Sequence, residues 1–182
     1  MATKFREDRA TQAAAKLLSL SNGRLNVLSL IKLLYFIDRE ALLRWGRPIT
    51  FDSYYSMPHG PVVSFTLNLI DMPRDPVSPS YWHRYISERK DHEVQLLKDV
   101  PNDQLSEAEE LLIDEVFQKY QGYTQWELRD LSHKLPEWRD PHGSSVPITV
   151  RDILEAEGIS EVDIREVEEF LDAEADICNG TT

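Results

Sequence analysis

The chain has 182 residues, of which 41% are hydrophobic and 29% are charged, as expected for a globular protein that buries a core of its own. Its net charge of -12 repels phosphate backbones, so nucleic acid is not expected as a direct partner. Cys178 is the sole cysteine, which excludes an internal disulfide and a thiolate zinc site and favours a reducing cytoplasm. No apolar run has the length of a signal peptide or a membrane span, so we expect neither secretion nor membrane insertion.

Two helices are predicted at the N-terminal end. Alanines and leucines at helical spacing predict the first over residues 10–20, and the polar residues 21–23 end it. The second is predicted to start at the N-cap residue Asn26 and to end at Gly46, a typical C′ position for glycine. It is apolar around almost its whole circumference up to Asp38, so we expect it to be central and buried.

Three segments are predicted to be strands, and the first of them is rich in β-branched and aromatic residues, which favour strands. The first, residues 49–55, leads into the turn SMPHGPVVS at residues 56–64, where two prolines and a glycine exclude a helix. The others, residues 81–87 and 93–98, are joined by the charged turn ERKDH and follow an exposed loop with three prolines at residues 72–80. Together they predict a small antiparallel sheet of about three strands.

Capping boxes mark the helix starts in the C-terminal half. They occur at residues 106–109, 124–127 and 149–152, and the helix opened by the second is predicted to run up to Pro136. Ser160 opens a last, acidic helix. Helices therefore dominate this half of the chain.

The order of these elements predicts an α+β fold that is predominantly helical, with a central buried helix and the small sheet. No internal repeat and no long linker divides the chain. Residues 1–182 are therefore predicted to form a single domain. Its core should cover residues 10–150, and residues 151–182 should form acidic C-terminal helices and a tail.

Few side chains have the spacing of catalytic or metal-binding residues. The histidines form no pair at the spacing of metal ligands, and no glycine-rich phosphate loop is present. We therefore predict no metal, no cofactor and no catalytic residue. One alternative stays open, because Asp130, His133 and Glu137 have helical spacing and could orient an imidazole as a general base.

The turn at residues 56–64 is stiff and polar, which is unusual for a simple connection. Gly60 can take a positive φ and Pro61 fixes the exit, so the backbone around His59 should hold one shape and lose little entropy on binding. The alternative is a structural corner that returns the strand onto the buried helix, and both roles can hold together. Further aromatic residues and histidines at non-helical or capping positions are candidates for contact or for core: Tyr54, Tyr55, Trp82, Trp126, His133 and Trp138.

Four motifs occur in order: KLLYF at residues 32–36, GRPI at 46–49, HGPV at 59–62 and LSHKLPEW at 131–138. Together they resemble the Panacea antitoxin domain, the SocA-like or GepA-like family, over most of residues 10–150. The resemblance implies a bacterial or phage antitoxin, encoded beside a toxin that it neutralises by direct protein contact. One member, SocA, looks instead like an adaptor that hands its toxin to a Clp-type protease.

Some members of that family carry a DNA-binding domain ahead of this one. Because the domain here begins almost at Met1, autoregulation by DNA binding is not expected. Residues 155–176 are strongly acidic with Arg165 as the only base, which indicates either a solvated helix face or a surface for a basic toxin. Whether the chain forms a homo-oligomer is left open.

The resemblance and the residue types together predict a toxin-binding surface around the turn, because Tyr and Trp are typical of binding hot spots. The predicted contact residues are Tyr54, Tyr55, His59, Gly60, Pro61, Trp126, His133 and Trp138. Two alternatives remain: an adaptor for a Clp-type protease, and an enzyme that uses Asp130, His133 and Glu137.

Overall fold

In a computed structural model that describes residues 5–179, eight helices and five short strands are arranged around one buried helix. The helices are α1 (Glu7–Leu20), α2 (Val27–Trp45), α3 (Ser64–Asp71), α4 (Tyr81–Tyr85), α5 (Glu107–Tyr120), α6 (Gln125–Ser132), α7 (Val150–Ala156) and α8 (Glu161–Asn179). The strands are β1 (Arg24–Asn26), β2 (Tyr54–Met57), β3 (Gly60–Val63), β4 (Glu93–Gln95) and β5 (Val146–Ile148). The predicted α+β, predominantly helical class is confirmed.

Helix α2 is the centre of the core, as its composition predicts. The Asn26 side chain accepts a hydrogen bond from the Leu28 amide at 2.9 Å, and Gly46 ends the helix with a φ of 67°. Fourteen of its nineteen residues are buried, against α1, α5, α6, α7 and β3. Both predicted ends of this helix are therefore confirmed.

The three predicted capping boxes are all formed. At the start of α5 the Ser106 hydroxyl accepts from the Glu109 amide at 3.3 Å, and the Glu109 carboxylate accepts from the Ser106 amide at 2.8 Å. The boxes at residues 124–127 and 149–152 have the same reciprocal bonds. Helix α6 ends at Ser132, however, before Pro136, and the chain continues in tight turns with bonds between residues three apart.

The predicted sheet has the right size but the wrong strands. Within residues 81–87 the first five form the short helix α4, which Ser80 caps, and the Tyr81 and Tyr85 rings pack one helical turn apart, 5.1 Å between centroids. Only Ile86 pairs as predicted, in an isolated antiparallel bridge with Leu96. Strand β4 pairs with β1 in a separate two-stranded sheet. The three-stranded sheet has the order β3-β2-β5, and all its neighbours are antiparallel.

The strand predicted over residues 49–55 begins only at Tyr54. The amides of Ile49 and Thr50 donate to the Asp38 carboxylate at 2.9 and 3.0 Å, so this segment is anchored to α2 by a side chain and not by a neighbouring strand. Its apolar residues are buried all the same, which explains why the composition resembles that of a strand. Asp52 then accepts from the Phe65 and Thr66 amides, and so caps α3.

The C-terminal helices pack as a pair. Arg151 on α7 pairs with three glutamates, among them Glu168 of α8 at 2.6 Å, and the inner face of α8 buries Ile164 and Leu171. Cys178 lies on α8 beyond the side chains that the structure describes. Within residues 5–179 no helix combines the length and the apolarity that crossing a membrane would need.

Candidate functional site

The predicted rigid turn is the tip of the β2–β3 hairpin. Met57 pairs with Gly60, which leaves Pro58 and His59 as a two-residue loop. Gly60 has a φ of +92°, a conformation that residues with a side chain rarely adopt. The positive φ expected at Gly60 is therefore confirmed.

Gly60 is also pressed against two helices. A Cβ atom added there would lie 2.2 Å from the Ser132 Oγ of α6 and 3.0 Å from the Lys32 Nζ of α2. Lys32 donates to the carbonyl of Pro61 at 2.6 Å and has no exposed surface. The HGPV motif is thus held directly by a residue of the KLLYF motif and a residue of the LSHKLPEW motif.

Burial lowers the pKa of the Lys32 amine from 10.5 to about 7. Between those values the unfolded chain binds a proton that the folded chain does not, so the free energy of unfolding should rise with pH by up to about 1.4 kcal/mol per unit. A Lys32→Met variant lacks this contribution. We therefore expect its stability relative to the natural chain to fall between pH 7 and pH 10, measured by urea denaturation. A difference that stays constant with pH would show that Lys32 titrates normally in the fold.

The LSHKLPEW segment closes over the base of the hairpin. The His133 and Trp138 rings stack with their centroids 4.1 Å apart, and the Trp138 Nε1 donates to the Met57 carbonyl at 3.2 Å. The His133 ring also packs against the turn, since its Cδ2 would lie 3.3 Å from a Cβ atom added at Gly60. Burial, with a smaller contribution from the Lys32 charge, lowers the pKa of His133. Both rings are half-buried and position the turn.

Glu137 belongs to a buried ion pair and not to a catalytic trio. Its carboxylate accepts from the Arg39 Nε at 2.7 Å and from the Tyr35 hydroxyl at 2.9 Å, both on α2. Asp130 is exposed and pairs with Arg129 at 2.7 Å. The predicted alignment of Glu137 with Asp130 and His133 is wrong, because α6 ends at Ser132 with His133 as its C-cap and Glu137 then turns inward.

Tyr54 and Tyr55 point to opposite faces of the sheet. Tyr54 is only 4% exposed, and its hydroxyl donates to Asp38 at 2.9 Å, a carboxyl whose pKa burial raises to about 6. Tyr55 is half-buried beside Pro147 and lines a cavity of about 340 Å³ under α8. Trp82 is fully buried and is a core residue. None of these three side chains lies beside His59.

A larger cavity, of about 800 Å³, opens beside the hairpin tip; we call it the His59 groove. His59 is exposed there and meets the edge of Trp126, a side chain that is 50% exposed, with 6.1 Å between the ring centroids. The apolar lining consists of Val27, Leu28, Ile31, Met57, Pro58, Val62 and Leu67. The polar and aromatic lining consists of Asn26, His59, Arg89, Asp91, His92, Gln125 and Trp126.

The far wall of the His59 groove is the turn ERKDH, residues 88–92, for which the sequence predicts only a connection between two strands. The His92 carbonyl accepts from the Val27 amide at 2.8 Å, and Arg89 pairs with Asp71 at 2.9 Å. Asp91 and His92 both have positive φ, as expected for a tight turn, and both side chains are exposed. Its charge was visible in the sequence, but nothing there placed it opposite His59.

The fold and the site define a helical α+β domain with an apolar groove whose walls come from distant parts of the chain. A family model described as antitoxin SocA-like, Panacea domain, matches residues 30–139, more than half of the chain. The chain therefore belongs to this family, and the resemblance carried by its four motifs is confirmed. No curated protein and no solved structure matches the chain.

Proposed function

We propose that this protein is a cytoplasmic antitoxin that neutralises a cognate protein toxin by binding it directly at the His59 groove, without catalysis or a cofactor. Membership of the antitoxin family supports the general role. The main support for placing the binding site at the His59 groove is that the half-exposed Trp126 lies beside the exposed His59 at an apolar cavity. The turn that presents His59 is held by buried contacts. Binding hot spots are typically such aromatic anchors in preformed pockets.

The predicted site residues have different roles in this proposal. His59 and Trp126 contact the toxin, because both expose surface at the groove. Gly60, Pro61, His133 and Trp138 position the turn through the contacts described above. Tyr54 supports the hairpin from the core, and Tyr55 lies beside the smaller cavity and away from His59.

The charge of the molecule suits a basic toxin. A net charge of -12 would speed the encounter with a positively charged partner and repel acidic ones. Exposed acids on α8 add to this field over the length of that helix. The association rate should therefore fall as salt is added, because the Debye length shortens from about 10 Å at 0.1 M to about 3 Å at 1 M.

The proposal is tested with the product of the neighbouring gene. We would co-express it with a tagged copy of this chain, follow growth, and measure whether the two elute as one complex of fixed stoichiometry. A stable complex with restored growth supports direct neutralisation. Restored growth without a complex, lost in a host that lacks Clp proteases, would identify an adaptor instead. Rescue far below one equivalent would identify an enzyme.

The strongest contact expected in the His59 groove is Trp126. A Trp126→Ala variant should bind the toxin at least about tenfold more weakly, as hot-spot tryptophans do, while losing less than about 1 kcal/mol of stability because the ring is half-exposed. Titration calorimetry and thermal unfolding measure the two effects.

Trp45 provides the matched control for Trp126. It is 38% exposed at the opposite end of α2 and does not line the groove. A Trp45→Ala variant should therefore keep its affinity. Equal losses of affinity in the two variants would show that the groove has no special part in binding.

A further inference from the structure

The His59 groove offers a partner very few free main-chain groups. Two carbonyls of the hairpin already accept hydrogen bonds: Met57 from Trp138 and Pro61 from Lys32. Pro58 and Pro61 also lack an N–H, as all prolines do. An extended peptide that adds a strand needs a continuous row of free donors and acceptors. This side of the hairpin does not provide one.

The opposite wall is closed to main-chain pairing as well. In the turn ERKDH the Lys90 and Glu93 amides each donate to the carbonyl of the other, and the His92 carbonyl accepts from Val27. At the start of α2 the Leu28 amide donates to the Asn26 side chain. Recognition in the groove must therefore go through side chains, which favours a helix laid in with its apolar face down.

The apolar lining suits such a helix. Val27, Ile31 and Val62 form the floor of the groove and are only 2–6% exposed. The apolar surface that a partner can reach comes mainly from the half-buried Leu28, Met57 and Leu67. A partner helix could lay its own apolar residues across this surface. The groove thus fits apolar side chains spaced three, four and seven residues apart.

The charged residues on the rim of the His59 groove indicate which residues flank the apolar face of the partner helix. The Arg89 charge on the rim is offset by Asp71, whereas Asp91 makes no ion pair among the residues that the structure describes. The Arg129 guanidinium beside the Trp126 ring is likewise offset, by Asp130 at 2.7 Å. With the net charge of -12, these features suit a partner with basic residues beside its apolar face.

We infer that the segment of the toxin that fills the His59 groove is an amphipathic α-helix with lysine or arginine flanking its apolar face. This inference rests on the proposed function, because the occupant is the toxin. It specifies that the bound segment of the toxin is helical and that the groove recognises its side chains.

Photo-crosslinking in the complex of the full chain with the neighbouring gene's product tests the geometry. A photoreactive phenylalanine derivative replaces Leu28 or Gln125, on two walls of the groove, and Gln121, exposed and outside the groove, is the control. We expect crosslinks from both groove positions to toxin residues three, four or seven apart, next to lysine or arginine, and none from Gln121. Crosslinks to every second residue would overturn the inference and leave the proposed function standing. No crosslink from the groove while the complex stays intact would overturn the inference and the proposed place of binding, and would leave direct neutralisation standing. Failure to form any complex would refute the proposed function itself.

The basic residues inferred beside the apolar face of the toxin helix are tested by an Asp91→Asn variant. Asparagine is chosen because it tolerates the φ of 51° found at this position. The association rate should fall about two- to fivefold at low salt and recover at high salt. Asp99→Asn, which removes an equally exposed acid outside the groove, is the control and should change the rate less. Equal effects of the two variants would show that only total charge matters, and would remove the basic flank from the inference.

Discussion

A Glu137→Ala variant is expected to lower the free energy of unfolding by about 3–5 kcal/mol, the usual loss when one partner of a buried ion pair is removed. The Glu137 side chain has no exposed surface, and its loss leaves Arg39 with Glu157 alone and the Tyr35 hydroxyl without its acceptor. Urea denaturation followed by circular dichroism measures the change.

An exposed ion pair between α2 and α5 provides the control for Glu137. Glu115 pairs with Arg44 at 2.7 Å, with both side chains about half exposed, so Glu115→Ala should cost less than about 1 kcal/mol. A Glu137→Gln variant keeps an acceptor for Tyr35 and should lie between the two. If Glu137→Ala and Glu115→Ala lose equal stability, the buried pair does not anchor the LSHKLPEW segment to α2.

A Gly60→Ala variant is expected to lose about 2–5 kcal/mol, because two penalties coincide at this position. The positive φ costs about 1–2 kcal/mol for any residue with a Cβ, and overpacking of a tight site adds about 1–3 kcal/mol. The new Cβ would lie 2.2 Å from the Ser132 Oγ and 3.0 Å from the Lys32 Nζ. Thermal and urea unfolding report the loss, and toxin affinity should fall with it because the turn must move.

The two penalties at Gly60 can be separated. Gly143 has nearly the same φ, +87°, but no atom within 4 Å of an added Cβ, so Gly143→Ala measures the backbone penalty alone. Adding Ser132→Ala to Gly60→Ala removes the nearest clashing atom and should restore part of the stability. Equal losses for Gly60→Ala and Gly143→Ala would mean that the close packing of the turn contributes nothing.

These contacts explain why the family motifs occur together. Lys32 donates a hydrogen bond to the Pro61 carbonyl, and Ser132 and His133 lie close to Gly60. Glu137 accepts a hydrogen bond from Arg39 of α2. The motif residues thus bind one another, and they fix the shape of the turn. The side chains proposed to contact the toxin include Trp126 and Asp91, which lie outside the four motifs.

The candidate site was only partly predictable from the sequence. The residue types at His59, Gly60 and Pro61 predicted a stiff turn, and Gly60 has the expected positive φ. Tyr54 has the residue type of a contact but is buried against Asp38, and the sequence has no signal for that partner. The wall with Arg89 and Asp91 was missed because its position depends on the pairing of β4 with β1.

The sequence by itself determined the features that depend on neighbours within a few residues: the capping boxes, the N-cap and C′ glycine of α2, and the left-handed Gly60. Such signals are reliable because each donor and acceptor lies within one turn of its partner. The apolar circumference of α2 likewise determined that it is buried.

Only the tertiary structure decided which strands pair, that residues 81–85 are helical, and that Glu137 faces Arg39 and not His133. These outcomes depend on contacts between residues far apart in the chain, which periodicity and propensity do not encode. The His59 groove belongs to this second group, since its walls meet only when α2, the hairpin, the ERKDH turn and α6 have packed together.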